Sequence, residues 1–271
     1  MIEFLASIAE ISVLLFGALL LVAQLAALEI GIRLGLSRPP AAGQSETVGV
    51  VVGGMLGLLA FVLALTLTFA NTRYAERRQG TLIEANAIGT AWLRAKAIGA
   101  PRSEEIARLI ETYNGIRKDF ILAENGSGTV ATIIDRTNAM QSEIWGQLSG
   151  LVREQPGPIS ASLMAALNDM FDAATSERFA FETSLPRQIL LLLLAMTLLS
   201  MGCLGYQQGL KEKQSRVLLV LLSVMWTIVI VDILDLSAPR LGNLRTNAAI
   251  YDWTASSFQS GLTVPPIPGS P

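Results

Sequence analysis

Histidine is absent from this chain of 271 residues. That excludes imidazole metal sites, histidine-based acid–base catalysis and histidine pH switches. Cysteine occurs once, at Cys203 within an apolar run. No intramolecular disulfide can form, and a thiolate there would have no histidine partner. Charge is scarce, at 15% of residues, where a soluble domain carries about 25%. The net charge of −2 offers a nucleic acid no excess of positive groups. No glycine loop leads from a strand to a lysine, so no phosphate cradle is legible. No basic segment precedes the first apolar run, so a cleaved signal peptide is not expected. Together these absences point to a protein that is not an enzyme and that holds no metal and no cofactor.

What the chain has instead is four long apolar runs, near residues 11–32, 48–70, 188–206 and 217–236. Each is long enough, at ~1.5 Å per helical residue, to cross a hydrocarbon core of about 30 Å. Between the second and third lies a stretch of amphipathic periodicity with no alternating apolar pattern. Ile106, Leu109, Ile110, Tyr113, Ile116, Phe120 and Ile121 follow i, i+3, i+4 spacing, as do Ile133, Ile144, Leu148 and Leu151. Leu163, Leu167, Met170, Ala174 and Phe181 do the same. Pro101, the Asn125–Gly126–Ser127–Gly128 stretch and Pro156-Gly157-Pro158 break the periodicity. The expected fold is all-α, with four spans and an antiparallel extramembrane helical bundle between spans two and three. Its parts are spans one and two (1–70), the bundle (71–187), spans three and four (188–236) and an extended tail (237–271). Ser103 is the expected cap of the second bundle helix.

Span two organises the rest. It carries no charge from Val48 to Ala70, and no proline follows it until Pro101. One helix is therefore predicted to leave the membrane and continue into water. Gly49, Gly53 and Gly57 recur every fourth residue, a pattern that lets helices approach closely in lipid. The ordinary reading is helix packing, within one subunit or between copies. The functional reading places span two along an ion path, with Phe61, Thr66 and Phe69 as pore and constriction candidates. Arg73, Arg77 and Arg78 mark the exit from lipid. Either they snorkel at headgroups or, repeated around an oligomer, they concentrate anions at a pore mouth. Glu29, Asp232 and Asp235 are acids within or near the spans, and such acids are functional candidates by default.

The residues after span two resemble a bacterial membrane family with a bestrophin-like domain. The match lies in the glycine-containing span, the charged run from Arg73 to Arg78 and the Glu84-Ala85-Asn86 stretch. A second match follows span four, at Asp235, Pro239 and Gly242. Ser237 and Ala238 stand where the family tends to have an Asp-Arg pair. The resemblance implies relatedness to bestrophins, which are oligomeric anion channels with helical extramembrane domains. It also implies a structural, buried role for Glu84 and Asn86, with Glu84 expected to pair with a basic residue of the neighbouring helix or with Arg77 or Arg78 on its own helix. The expectation is a homo-oligomeric ion channel of the bacterial plasma (inner) membrane, in contact with lipid and small inorganic ions. The alternative is a non-conducting scaffold or sensor whose bundle binds a partner. Basic residues flank the spans on both sides. The first span favours an extracytoplasmic bundle and the resemblance a cytosolic one, so sidedness stays open.

Overall fold

A computed structural model describes residues 13–37, 44–124, 127–211, 215–240 and 244–261. The helices are α1 (Val13–Leu36), α2 (Gln44–Ile98), α3 (Pro101–Leu122), α4 (Ser127–Glu154), α5 (Pro158–Glu182), α6 (Arg187–Gly209), α7 (Arg216–Ser237) and α8 (Ala249–Ser260). No strand occurs among the described residues. Segments apolar and long enough to cross a membrane lie within Val13–Leu36, Glu46–Ile98, Pro158–Gly209 and Arg216–Ser237. The chain is thus a multi-pass helical membrane protein that associates with lipid.

Helix α2 runs for 55 residues without a break. At ~1.5 Å per residue that is about 80 Å. It ends where the sequence provides a stop. Gly99 has φ +67, the left-handed conformation that closes a helix and favours glycine. Pro101 then opens α3 at the one helical position where a missing N–H costs nothing. Ser103 is therefore not the cap. It sits in the first turn, where its hydroxyl donates to Ala100 O (2.8 Å) and accepts from Ala100 N–H (2.9 Å).

The chain divides into two compact units, and α2 contributes to both. The membrane unit comprises residues 1–74 and 184–245. Here α1 and α6 pack with their backbones almost touching. A Cβ on Gly31 would lie 2.0 Å from Gly202 O, and one on Gly205 would lie 2.2 Å from Leu28 O. Gly35 and Gly209 face each other in the same way. Lipid supplies no hydrophobic drive between helices, so close backbone approach is a main source of attraction. Hydroxyls in these helices bond to their own backbone, as Thr197 does to Leu193 O (2.7 Å) and Ser223 to Leu219 O (3.0 Å). A buried polar contact crosses helices, Gln24 Nε2 donating to Thr227 Oγ1 at 2.9 Å.

The outer unit comprises residues 75–183 and 246–271. Its core is built from large side chains, including Trp92, Ile110, Tyr113, Phe120, Leu167, Met170 and Phe181. Each such residue contributes about 1.5–3 kcal/mol by leaving water. The expectation of an extended tail fails between Ala249 and Ser260, which form α8. Tyr251 and Phe258 lie seven residues apart on one face of it, and both join the core. Trp92 and Phe258 pack with ring centroids 4.9 Å apart. A short amphipathic helix is stable here because this packing stabilises it. The prolines of residues 265–268 and the glycine at 242 lie outside the described residues.

Candidate functional site

The membrane half of α2 has two distinct sides. Val52, Leu59, Leu63, Thr66 and Ala70 are buried within the unit. On the other side Phe61 is 59% exposed, with Leu58 and Leu65 also exposed. A Cβ on Gly53, Gly54 or Gly57 would meet nothing within 4 Å beyond its flanking residues and its own helix backbone. Gly49 differs, because its Cβ would meet Gln207 Nε2 at 2.6 Å. The three constriction candidates therefore do not share a face. Phe61 and Phe69 lie on the open side, while Thr66 points inward and donates to Val62 O at 2.8 Å. Five helical residues separate Phe61 from Thr66, which turns one roughly 140° from the other.

The three arginines also separate. Arg73 stacks over the Phe69 ring at 5.0 Å. Arg78 is exposed, but Arg77 is only 1% exposed within the outer unit. Arg77 lies on the face of α2 that also buries Thr81, Glu84 and Ile88, so it is not a water-facing mouth residue in this subunit.

That buried face carries the densest polar arrangement among the described residues. Glu84 is fully buried and forms an ion pair with Arg117 of α3, whose Nη2 donates to Glu84 Oε2 at 3.2 Å. Tyr251 of α8 donates its hydroxyl to the same Oε2 at 2.8 Å. Asn114 Nδ2 donates to Tyr251 O at 2.9 Å, which fixes α8 against α3. Burial opposes the charge on Arg117, but Glu84 outweighs it and holds the guanidinium above its usual range. Burial also raises Tyr251 and Tyr113 well above the ordinary phenol range, and Glu84 adds to both shifts.

Glu177 of α5 completes the cluster and accepts from the Thr81 hydroxyl. Its second oxygen, Oε2, has no hydrogen-bond partner among the described residues. A Cβ on Gly80 would fall 2.1 Å from that oxygen, so glycine leaves room for it. Burial, aided by Glu84, pushes the Glu177 carboxyl up to about 7; the Thr81 hydroxyl, Arg117 and Arg77 act against the rise. Asn86, two residues from Glu84, is exposed and takes no part.

The remaining acids are dispersed. Glu29 pairs with Arg33 at 3.0 Å and lies 3.9 Å from Arg216. Asp232 is exposed. Asp235 is buried and accepts from Leu244 N–H at 3.4 Å, tying the chain after α7 to the end of that helix. Pro239 lies half-buried on the same turn. Among the described residues no cluster of His, Cys, Asp or Glu could hold a metal.

No family model matches the sequence, and no curated protein matches it. Solved structures do. A bacterial bestrophin homologue from Klebsiella pneumoniae superposes with a TM-score of 0.65 at 13% identity, over 92% of this chain and 97% of that one. Two other variants of that homologue give TM-scores of 0.64 and 0.62, over 90% and 89% of this chain and 96% and 98% of theirs, again at 13% identity. The chain has a bestrophin-like fold. The buried ion pair of Glu84 with Arg117 lies within the stretch after span two.

Reasoning from sequence missed Arg117, Glu177, Asn114 and Tyr251. A signal existed for two of them. Arg117 adjoins the apolar stripe of Tyr113, Ile116 and Phe120, and Glu177 lies between Ala174 and Phe181 on theirs. A charge on an apolar face with a charge on a facing helix is the pattern of a buried pair.

Proposed function

We propose that this chain is the subunit of a homo-oligomeric, bestrophin-like ion channel of the bacterial inner membrane, selective for anions. The membrane half of α2 lines the path, with Phe61 and Phe69 as its narrow points and Arg73 and Arg78 as the ion-attracting groups. The outer helices form an antiparallel bundle that extends α2 beyond the lipid. Small inorganic ions are the cargo, and no enzymatic step is involved. The observation that carries this reading is the open, uncharged side of α2. A Cβ on Gly53, Gly54 or Gly57 would meet nothing within 4 Å beyond its flanking residues and its own helix backbone, and Phe61 stands clear beside them. A bare strip of this kind suits a central helix flanked by copies of itself. The fold similarity supports the same reading.

Purified protein in liposomes should pass anions, and Phe61→Ala should alter that flux. Absence of current from both wild type and Phe61→Ala would sink the reading. A non-conducting scaffold is the second reading. It is favoured by the apolar groups that the outer unit leaves exposed, among them Ile83, Leu93 and Trp253. On that reading the particle is oligomeric, passes no ions and leaves the same groups free for a partner protein.

A further inference from the structure

Glu177 has no part in the proposed ion path, and its surroundings suit a proton better than a fixed charge. The side chain is fully buried. The Thr81 hydroxyl lies within hydrogen-bond reach of two oxygens, Arg77 O at 2.9 Å and Glu177 Oε1. A hydroxyl carries one proton and cannot donate to both. With Glu177 ionised, Thr81 gives its proton to Oε1. With Glu177 protonated, Oε1 donates to Thr81 Oγ1, and Thr81 donates to Arg77 O. The heavy atoms occupy the same places in both arrangements. They differ at Oε2, which has no hydrogen-bond partner among the described residues. Ionisation makes it a bare carboxylate oxygen in a dry core, whereas the proton leaves a neutral carbonyl oxygen there, which costs less.

Charged and titratable groups face this acid from three other helices. Arg77 and Glu84 come from α2, Arg117 from α3 and Tyr251 from α8. Burial, with Glu84, holds the carboxyl at about 7, against the pull of Thr81, Arg117 and Arg77. We propose that Glu177 is a proton switch on the contact between α5 and the outer half of α2, and that its state sets the ion flux. The inference rests on the proposed channel reading. Ionisation puts a second carboxylate into a core whose Arg117 is already paired with Glu84. Its Oε2 then draws in water or a cation. That oxygen rests against the α2 backbone at Gly80, where a Cβ would lie 2.1 Å from it. Solvating it therefore pushes on α2 itself. Gly80 and Phe69 belong to one unbroken helix and are about 16 Å apart along it, so a shift at Gly80 reaches the narrow points of the path.

The test is chloride efflux from liposomes that hold the purified full chain, with equal pH on both sides. Wild-type flux should change about threefold or more between about pH 6 and 8, as the population passes from the protonated to the ionised form. Glu177→Gln keeps the neutral form and should hold the acid-side flux across that range. Thr81→Val removes a donor to the ionised form and should move the flux midpoint upward by about one pH unit. A merely structural role for Thr81 would leave the midpoint where it is. This variant carries the test should Glu177→Gln fail to fold. An unmoved midpoint in Thr81→Val overturns the inference and leaves the channel reading standing. So does wild-type flux that ignores pH, or a pH response equal in wild type and Glu177→Gln. No flux from any of the three at any pH overturns both.

Discussion

The two units solve the same problem, holding helices together, by opposite means. In the membrane unit the tightest contact is between backbones. Gly31, Gly35, Gly205 and Gly209 bring α1 and α6 so near that a single added carbon would collide with a carbonyl. Polar side chains there mostly turn back onto their own helix. In the outer unit large aromatic and aliphatic side chains fill the space, and four helices meet around a buried set of charges at Glu84, Arg117 and Glu177. The surroundings account for the contrast. Water drives bulky apolar groups together, whereas lipid does not distinguish a leucine that faces it from one that faces another helix. A glycine strip is therefore a structural device in one unit. A buried ion pair is tolerable in the other because its partners come from rigid neighbouring helices.

The contrast breaks most sharply at Arg117. Arg117→Leu strands the Glu84 carboxylate in the core, and a loss of about 3–5 kcal/mol is expected from thermal unfolding of the purified protein. Removing both charges, Glu84→Leu with Arg117→Leu, should recover much of that loss. If the double variant is no better than the single, the pair is not the coupled unit described above. Next comes Gly31→Ala. Its methyl would meet the fixed backbone oxygen of Gly202, and about 3 kcal/mol or more should be lost, with α1 and α6 forced apart. Gel filtration should show a falling yield of monodisperse protein, and an unchanged profile would mean the helices are not held by backbone approach.

Glu177 offers a pH test confined to the outer unit. Its carboxyl sits at about 7 against an ordinary value of 4.5. The folded state therefore holds a proton between those values that the unfolded chain has released. The stabilisation is complete below the unfolded value and is lost as pH rises through about 7, with an upper bound of about 3 kcal/mol. Glu177→Gln should flatten the thermal midpoint across that range and raise it above pH 7. A wild-type midpoint that does not fall between pH 5 and 8 would show Glu177 to be ionised throughout. The smallest effect should come from Gly57→Ala. Its added methyl would meet nothing within 4 Å beyond its flanking residues and its own helix backbone, so subunit stability should change by no more than about 0.5 kcal/mol. Any larger change should appear in particle size, as loss of assembly between copies. A stable variant that assembles normally would mean the strip faces lipid.

Much of the plan was legible in composition and period. The apolar runs of residues 11–32, 48–70, 188–206 and 217–236 correspond closely to the segments long enough to span a membrane, because a bilayer demands unbroken apolar length and little else. The amphipathic stripe from Ile106 to Ile121 became the buried face of α3 for a similar reason, since water rewards one apolar side. What lay beyond reading was contact. The glycine strip of span two stood out in the sequence, yet the close approach within this chain uses Gly31 with Gly35 and Gly205 with Gly209, pairs that carry the same four-residue spacing near the ends of their spans. Arg73, Arg77 and Arg78 read as one basic group, yet Arg77 faces a core and Arg78 faces solvent. The tail around Tyr251 looked featureless, because a 12-residue helix has too little local preference to declare itself without the surface it packs on.

The sequence by itself determined four segments apolar and long enough to cross a membrane, the uninterrupted run of α2 up to Gly99, and the exclusion of histidine, intramolecular disulfide and thiol–histidine chemistry. These depend on residue type and local spacing, which are properties of the chain in one dimension. Only the tertiary structure decided which glycines touch, which arginine is buried, and that α8 closes over Glu84 with a tyrosine hydroxyl. Those outcomes depend on pairs distant in the chain, such as Glu84 with Arg117 (33 residues apart) and with Tyr251 (167 apart), and no local pattern encodes a partner at that distance.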